Sequence, residues 1–465
     1  MVDIVALAAI QRGAIVAPAG HGKTHLIANI AARSRRCLIL THTHAGVQAI
    51  KARLARLEKP CRSAVVDTIA GWCMKYAYAF PGVAKPPLSM PTNPSEWEQL
   101  YAGALLALKV KAIRDVIAAS YDKILIDEYQ DCNRHQHALS ISLSGIVSTL
   151  VFGDPMQGVF EFAGATLSWD GEIHDHFPLV ASPDTPYRWS GKNEDLGIWI
   201  AETRDKLIAG EPIDLGSAPI AFIEASDGAS IFAGADAKNG TQAAIHCKKA
   251  TCYALAKNSS NGRGNFQAIE EMSLKRLEKF AIDWDSSLGN ESKIDILRSL
   301  INECVDRITS GPGEVLDVEE QALASEMRKL AQALDGVDGA ASLLKIFGLA
   351  RKRSRWTIFR NELWRDAEWA TSELACGRCK TLHEGFLNIR QRAAYSGRVL
   401  PWRVASTPLL LKGLEFDHVL IPDASHFLKA SSANAKMFYV AISRATNSLT
   451  ISSPTRIIQF PKPKI

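Results

Sequence analysis

The segment Ala17–Thr24 constrains the fold of this chain more than any other part of the sequence. It reads Ala-Pro-Ala-Gly-His-Gly-Lys-Thr, follows a short apolar run at 13–17 and precedes a helix-like stretch at 24–33. Glycines let a backbone close tightly around an anion, and the N–H groups at the start of the next helix face that anion. The segment therefore predicts a phosphate-binding loop between a strand and a helix, in the variant with alanine at the first position.

The residues of this loop have distinct expected tasks. The backbone of Gly20, His21 and Gly22 surrounds the phosphates. Lys23 reaches the β- and γ-phosphates, and the hydroxyl of Thr24 holds Mg²⁺. A glycine-rich turn that only caps a helix is the alternative, and the intact Gly-Lys-Thr disfavours it.

A second element supports a nucleotide site. The apolar run 124–126 ends in Asp127 and Glu128, at the position where open α/β sheets place their sites. Asp127 is expected to complete the Mg²⁺ shell, and Glu128 to polarise the attacking water. An exposed acidic loop is the alternative, and the preceding phosphate-binding loop makes it the weaker interpretation.

Short apolar runs alternate with helix-like segments along the first 75 residues, which is typical of parallel strands joined by crossover helices. Strand-like runs return at 148–152, 220–223, 251–255, 402–405, 418–421 and 448–451, and residues 266–395 read as almost wholly helical. The pattern predicts an α/β fold with two cores, each interrupted by a mostly helical insertion.

The order of the remaining motifs is similar to that of UvrD/Rep-type superfamily 1 DNA helicases. The quoted motifs are Asp127–Asp131, Gly153–Gln157, Tyr187–Arg188, Lys412–Phe416 and Tyr439–Ala445. The resemblance implies two RecA-like P-loop domains that use ATP and Mg²⁺. It implies that Gln157 senses the γ-phosphate, that Arg188 and Arg444 are arginine fingers, and that Gly413 and Glu415 bind nucleotide.

The resemblance also implies residues that contact a nucleic-acid strand. Hydroxyls bind phosphate without reading sequence, and aromatic rings stack on any base. These expected contacts are Thr41, His42, Thr43, Thr68, Phe160, Phe162 and Thr407. The chain departs from the family pattern at three positions, with His42, Ala163 and Leu409 where the family usually has phenylalanine, arginine and histidine.

The implied domain boundaries follow the same resemblance. Residues 1–78 and 117–190 form the first ATPase domain, with a small insertion at 79–116. Residues 191–264 and 400–465 form the second, with a helical insertion at 265–399. Within that insertion, basic residues are interleaved with aromatic residues from 351 to 369. They are expected either to contact duplex phosphate or to flank a helix whose rings pack into the core.

We expect an ATP-dependent translocase or helicase on single-stranded DNA or a single-strand/duplex junction, with 3′→5′ polarity implied by the resemblance. The alternative is an ATP-gated DNA-sensing subunit that regulates a partner nuclease in antiphage defence. A P-loop phosphotransferase is disfavoured, because it would not need the motifs around Gln157, Arg188 and Arg444. Nine scattered cysteines fit a reducing compartment, and no apolar stretch reaches the roughly 20 residues of a membrane span, so a cytoplasmic protein is expected.

Overall fold

Two compact units make up the chain. A computed structural model describes residues 3–58, 63–91, 93–159, 167–217, 219–225, 234, 236, 238–257, 266–269, 273–307, 317–396, 401–429 and 434–465. The first unit comprises Met1–Ile220, Phe427–Ser448 and Arg456–Ile465. The second comprises Ala221–His426 and Leu449–Thr455. Each unit therefore contains segments that are distant in sequence.

A six-stranded sheet forms the centre of the first unit. Its elements up to residue 220 are α1 (Ile4–Ala9), β1 (Arg12–Val16), α2 (Lys23–Ala31), β2 (Cys37–Thr41), α3 (His44–Ala55), β3 (Val65–Thr68), α4 (Ile69–Ala79), α5 (Pro81–Ala84), α6 (Pro94–Ala107), α7 (Lys111–Ser120), β4 (Lys123–Ile126), α8 (Arg134–Ser144), β5 (Ser148–Gly153), β6 (Leu179–Ala181), α9 (Glu194–Ala209) and β7 (Ile213–Asp214). The strand order is β3-β2-β4-β5-β1-β6, and the pairings are parallel. The carboxyl ends of β1, β4 and β5 consequently lie at one edge.

The central strands β2 and β4 of this sheet are largely apolar because both of their faces are covered. In β2, Leu38 and Leu40 pack into one core with α4, α6, α7 and α8. Their neighbours Cys37 and Ile39 pack into a second core with α1, α2 and α3. Side chains alternate between the faces of a strand, so a strand buried on both sides shows no polar alternation.

A second six-stranded sheet forms part of the second unit. The remaining elements of the chain are β8 (Ala221–Glu224), β9 (Gln242–Ile245), α10 (Lys249–Lys257), β10 (Gln267–Ala268), α11 (Ser273–Ser286), α12 (Asn290–Cys304), β11 (Val305–Arg307), α13 (Val318–Ala331), α14 (Gly339–Lys352), β12 (Trp356–Ile358), α15 (Asn361–Ala375), α16 (Leu382–Ser396), β13 (Arg403–Ser406), β14 (Phe416–Ile421), α17 (Ser425–Leu428), α18 (Asn434–Ile442), β15 (Ala445–Ser453) and β16 (Ile457–Ile458). The order is β10-β13-β9-β14-β15-β8. Two sheets of this kind confirm the predicted α/β class with two RecA-like domains.

One strand prediction is wrong. The run Thr251–Leu255 lies in helix α10, although its threonine and tyrosine favour a strand. Cys252 and Leu255 of this helix pack against Phe266 and residues of the sheet. Tertiary packing of one apolar face therefore overrides the local strand preference.

The helical insertion of the second unit has its own apolar core. Helices α11 to α16 surround Trp364, which is fully buried and meets Phe347 edge-on at 4.8 Å between ring centroids. Trp369, on the same helix α15, is 49% exposed. Within the described part of the chain, no helix is long and apolar enough to cross a membrane.

Carboxylates neutralise two arginines of the basic segment. Arg351 binds Glu368 at 2.9 Å, and Arg353 binds Glu320 at 2.5 Å. Arg353 also lies over the half-buried ring of Trp356, 4.3 Å from its centroid. These contacts favour the packing interpretation of the segment over direct phosphate contact.

The turn between β1 and α2 requires glycine at two positions. Gly20 and Gly22 have φ of 78° and 79°, in the left-handed region. A Cβ atom on Gly20 would lie 2.6 Å from the buried ring of Trp189 and 2.8 Å from Cβ of Arg188. The turn is therefore held against residues 187–189 as well as being conformationally restricted.

Substitution of Trp364 tests the core of the insertion. Trp364→Ala should lower the free energy of unfolding by about 3–5 kcal/mol, because it removes a fully buried ring. Trp369→Ala is the matched control on the same helix, and we expect a cost below about 1 kcal/mol at this half-exposed position. Urea denaturation followed by circular dichroism measures both, and equal costs would contradict this assignment of the core.

Substitution of Gly20 separates packing from backbone strain. Gly191 also has a positive φ, of 72°, but within the described structure no atom lies within 4 Å of a Cβ built there. Gly191→Ala should cost about 1–2 kcal/mol through strain alone. Gly20→Ala should lower the free energy of unfolding clearly more, since the new methyl group would overlap the Trp189 ring. Equal losses of unfolding free energy for the two variants would show that the turn does not pack as described.

Candidate nucleotide and nucleic-acid site

The N-terminus of α2 faces the carboxyl edge of the first sheet. Gly22 precedes the helix, and no side chain among the described residues caps it there. Such a helix end presents backbone N–H groups and a partial positive charge to an anion. Thr24, half-buried, lies in the first turn. The local structure is thus suited to phosphate.

His21 contributes shape to the loop more than charge. Its ring is only 4% exposed, and Nδ1 lies 2.9 Å from the carbonyl oxygen of Ala19. Burial lowers the pKa of His21, although the hydrogen bond with Ala19 and the carboxylate of Asp154 oppose that shift. The imidazole is therefore neutral near pH 7.

Lys23 brings the loop and the end of β4 together. Its Nζ lies 3.2 Å from Oδ1 of Asp127 and donates a short hydrogen bond to Oε1 of Glu128. Burial alone would lower the pKa of Lys23, but the two carboxylates outweigh it and raise the pKa. The ammonium consequently remains charged throughout the physiological pH range.

Glu128 is held in an unusual backbone conformation. Its φ is 55°, a left-handed value that non-glycine residues adopt at a cost and that is found at functional sites. The side chain accepts hydrogen bonds from Lys23 at Oε1 and from Nε2 of Gln130 at Oε2. Both carboxylate oxygens are thereby oriented.

Gln130 connects this carboxylate to the end of the neighbouring strand β5. Its Oε1 accepts a hydrogen bond from the backbone N–H of Asp154 at 3.0 Å. The Asp154 side chain, fully buried, accepts from Nε2 of Gln157 at 3.0 Å and from Arg204 at 3.1 Å. Gln157 is therefore fixed by Asp154, within one hydrogen-bonded network with Glu128.

Two arginines predicted as fingers lie together in the first unit. Nη1 of Arg188 donates to the carbonyl oxygen of Ser443 at 2.5 Å, and its backbone N–H donates to the carbonyl of Gly20. Arg444 is 1% exposed and donates from Nη2 to Oγ of Ser443 at 2.8 Å. Both side chains thus contact the same residue, next to the start of β15.

Tyr439 contacts the phosphate-binding loop directly. Its hydroxyl accepts a hydrogen bond of 3.0 Å from the backbone N–H of Ala19. Burial raises the pKa of Tyr439, so the hydroxyl stays protonated. Tyr439 lies in the motif Tyr439–Ala445 but is not among the predicted site residues, and Arg204, which lies outside every motif, has no sequence signal.

A cavity of about 400 Å³ adjoins the loop. Its walls come from α1, α2, α3 and the segment 183–187. Tyr187, 51% exposed, lines it together with His21 and Gly22. The cavity is large enough to take a planar ring system beside the N-terminus of α2.

Threonine hydroxyls mark the carboxyl ends of β2 and β3. Thr41 and Thr68 are buried and lie opposite each other in the parallel register. Thr68 caps α4 by accepting from the N–H of Gly71 at 2.9 Å, and Thr43 caps α3 by accepting from that of Gly46 at 3.0 Å. A capping hydroxyl accepts one hydrogen bond and keeps its own proton to donate.

The other predicted residues are placed as follows. His42 lies with its Nε2 3.5 Å from Sγ of Cys132. Asp127 is 5% exposed at the end of β4. Thr407, Gly413 and Glu415 belong to the second unit, whereas the residues described above belong to the first. Phe160 and Phe162 lie outside the described residues.

Comparison with known proteins gives one family match. Residues 91–178 match the model of the UvrD/REP helicase N-terminal domain. A search of curated proteins finds no match. Among solved structures, the chain is similar to arterivirus nonstructural protein 10 (helicase) in complex with DNA, with 8% identity and a TM-score of 0.35. It is also similar to the PRRSV helicase, with 11% identity and a TM-score of 0.35.

These structural matches cover 95% and 97% of this chain but only 61% and 54% of the two helicases, so the chain spans less than two thirds of either. The family match contains Asp127, Glu128, Asp154 and Gln157. It therefore includes the end of β4 and the end of β5, where these four residues lie. Over residues 91–178, the match confirms the resemblance to UvrD/Rep-type helicases that the motifs predict.

Proposed function

We propose that this chain is an ATP-driven motor that moves along single-stranded DNA and hydrolyses ATP at the edge of its first sheet. The observation that carries the proposal is the convergence of Lys23, Glu128 and Gln157 on one hydrogen-bonded network. A helicase or translocase needs this convergence, because hydrolysis must be sensed by groups that also respond to the strand.

The phosphate chain of ATP fits the N-terminus of α2. Its negative charge complements the backbone N–H groups after Gly22 and the ammonium of Lys23. On this proposal the phosphates compete with Asp127 and Glu128 for that ammonium. The adenine ring of ATP would enter the adjoining cavity, where the exposed ring of Tyr187 offers a stacking surface.

The residues present also fit Mg²⁺. Thr24 and Asp127 offer a hydroxyl and a carboxylate, which are the oxygen ligands that this hard cation prefers. Asp127 faces the loop, as its contact of 3.2 Å with Lys23 indicates. When bound, the ion would neutralise charge that develops on the phosphates during transfer.

On this proposal, hydrolysis needs a general base that is positioned to accept a proton from the attacking water. Glu128 would orient the attacking water and accept its proton, while the oxygen–phosphorus bond to the β-phosphate breaks. Gln130 holds Oε2 of Glu128 when the phosphates engage Lys23, which reduces the reorganisation that the step requires. Gln157, Arg188 and Arg444 would stabilise charge on the γ-phosphate, with Gly413 and Glu415 assigned to nucleotide binding by resemblance.

The strand would bind at the ends of β2 and β3. Thr43 and Thr68 can donate their hydroxyl protons to phosphate oxygens, next to two helix N-termini. Such contacts read no base, which suits movement along any sequence. Thr41, His42 and Thr407 are assigned to the same task by resemblance, as is the 3′→5′ polarity.

Two substitutions test the hydrolysis proposal. Lys23→Met should abolish ATP turnover, and Glu128→Gln should lower kcat by about 10²-fold or more while ATP still binds. Release of phosphate with and without single-stranded DNA gives the rate. Lys51→Met and Glu98→Gln, both at exposed helix positions, are the matched controls and should leave it unchanged. More than about a tenth of the wild-type rate in Glu128→Gln would overturn the assignment of the base.

Substitution of the capping Thr43 tests the strand site. Aspartate is as good a cap as threonine, so Thr43→Asp, at an exposed position, should fold normally. The added negative charge should weaken binding of an oligothymidine by about tenfold at low salt. Asn93→Asp puts the same charge at the cap of α6 and should leave affinity unchanged. Fluorescence anisotropy measures both, and equal weakening by Asn93→Asp would show a general charge effect.

Strand displacement by the purified chain distinguishes the motor from the alternative of a DNA-sensing subunit that regulates a nuclease. A motor that unwinds separates a duplex with a 3′ single-stranded tail. DNA-stimulated hydrolysis without movement past a roadblock on the strand would favour the sensing role.

A further inference from the structure

Arg204 of helix α9 is a nearly buried cation outside every motif of the sequence. Only 12% of its side chain is exposed, and Nη2 lies 3.1 Å from Oδ1 of Asp154. Burial alone would lower the pKa of the Arg204 guanidinium, but Asp154 outweighs this and raises the pKa. The guanidinium is therefore charged, and its contact with Asp154 is largely shielded from solvent.

Asp154 has several partners besides Arg204. Its Oδ1 also accepts from the backbone N–H of Met156 at 3.1 Å, and its Oδ2 accepts from Nε2 of Gln157 at 3.0 Å. A buried carboxylate with hydrogen bonds but no cation nearby would carry a large desolvation cost. Arg204 supplies that cation, so the orientation of the Gln157 amide depends on it.

The same guanidinium lies beside Tyr439. Cζ of Arg204 is 6.0 Å from the centroid of the Tyr439 ring, at the outer limit for a cation–π contact. The Tyr439 hydroxyl binds the N–H of Ala19 in the phosphate-binding loop. Arg204 thus lies between the residue that fixes Gln157 and the residue that contacts the loop.

We propose that Arg204 is a positioning residue of the ATPase site, which acts through Asp154 and Tyr439 to hold Gln157 and the phosphate-binding loop in a fixed relative geometry. It does not touch the nucleotide in this proposal. Its loss leaves the Asp154 carboxylate without its cationic partner and loosens the orientation of Gln157, so the step that needs Gln157 slows while ATP still binds. The inference rests on the proposed ATPase function.

The planar guanidinium is suited to this position. It donates from a rigid fork to Asp154 and can lie flat against an aromatic ring, which an ammonium does less well. A lysine would keep the charge opposite Asp154 but lose the fork. Arg204→Lys should accordingly recover part of what Arg204→Met loses, and a purely space-filling role would show the reverse order.

The experiment compares variants of the full chain: Arg204→Met, Arg204→Lys, Asp154→Asn and the double variant Asp154→Asn/Arg204→Met. Lys206→Met, an exposed cation on the same helix, is the matched control. For each protein, DNA-stimulated kcat, the KM for ATP, the Kd of a fluorescent ATP analogue and the Tm are measured.

We expect Arg204→Met to lower kcat by about tenfold or more with less than about threefold change in Kd, and Lys206→Met to match wild type. The double variant should be no slower than the slower single variant, because both substitutions break one interaction. If Arg204→Met does not fold, the cycle of Arg204→Lys with Asp154→Asn gives the same comparison.

Several results would overturn the proposal. One is an unchanged kcat in Arg204→Met. Another is a rise in the Kd of the ATP analogue by as large a factor as the fall in kcat. A third is a double variant whose kcat falls by the product of the two single effects. A wild-type chain that does not hydrolyse ATP would refute the proposed function itself. Wild-type turnover together with an unaffected Arg204→Met would refute only the positioning role.

Discussion

The ion pairs of the buried Lys23 ammonium with Asp127 and Glu128 are the interactions on which the first unit depends most. Removing such a charge from water costs several kcal/mol unless opposite charges lie close to it. Asp127 and Glu128 supply them at the end of β4. The loop after β1 and the end of β4 are thereby joined across the intervening strand β5, which only a parallel arrangement of these strands allows.

A second polar network extends from this pair along the same edge. Glu128 binds Gln130, Gln130 binds the backbone of Asp154, and Asp154 binds Gln157. Each link is buried or half-buried, so a break in one leaves an unsatisfied polar group with a cost of about 1–3 kcal/mol. The edge of the sheet is therefore organised by hydrogen bonds between strand ends, while the apolar side chains of the strands hold the layers together.

The sequence predicts those parts of the molecule in which neighbouring residues determine the local structure. The strand, turn and helix at Ala17–Thr24 are of this kind, because glycine, lysine and threonine at fixed spacing leave few other structures. The helical state of residues 251–255 has no such signal, since Thr251 and Tyr253 favour a strand and contacts with Phe266 and the sheet decide otherwise.

Residues that act through distant partners leave no such signal. Arg204 looks like an ordinary surface arginine on an amphipathic helix, and its buried position appears only when Asp154 lies opposite it. The basic segment shows the converse. Arg351 and Arg353 look available for phosphate in the sequence, but Glu368 and Glu320, from other parts of the insertion, neutralise them.

The hydrogen bond between Ala19 and Tyr439 joins residues that are 420 positions apart. Synthesis proceeds from the N-terminus, so the strand and helix around the loop can form long before Tyr439 leaves the ribosome. Until then one N–H of the loop has no partner from α18, and Trp189 has no contact with Ala445, whose carbonyl oxygen accepts from its indole at 2.7 Å. The first unit can therefore begin to fold early in synthesis, and its fold is completed only after residues 427–465 have been made. A nascent chain that already carries the whole phosphate-binding motif therefore still lacks the two contacts that complete the surroundings of the loop.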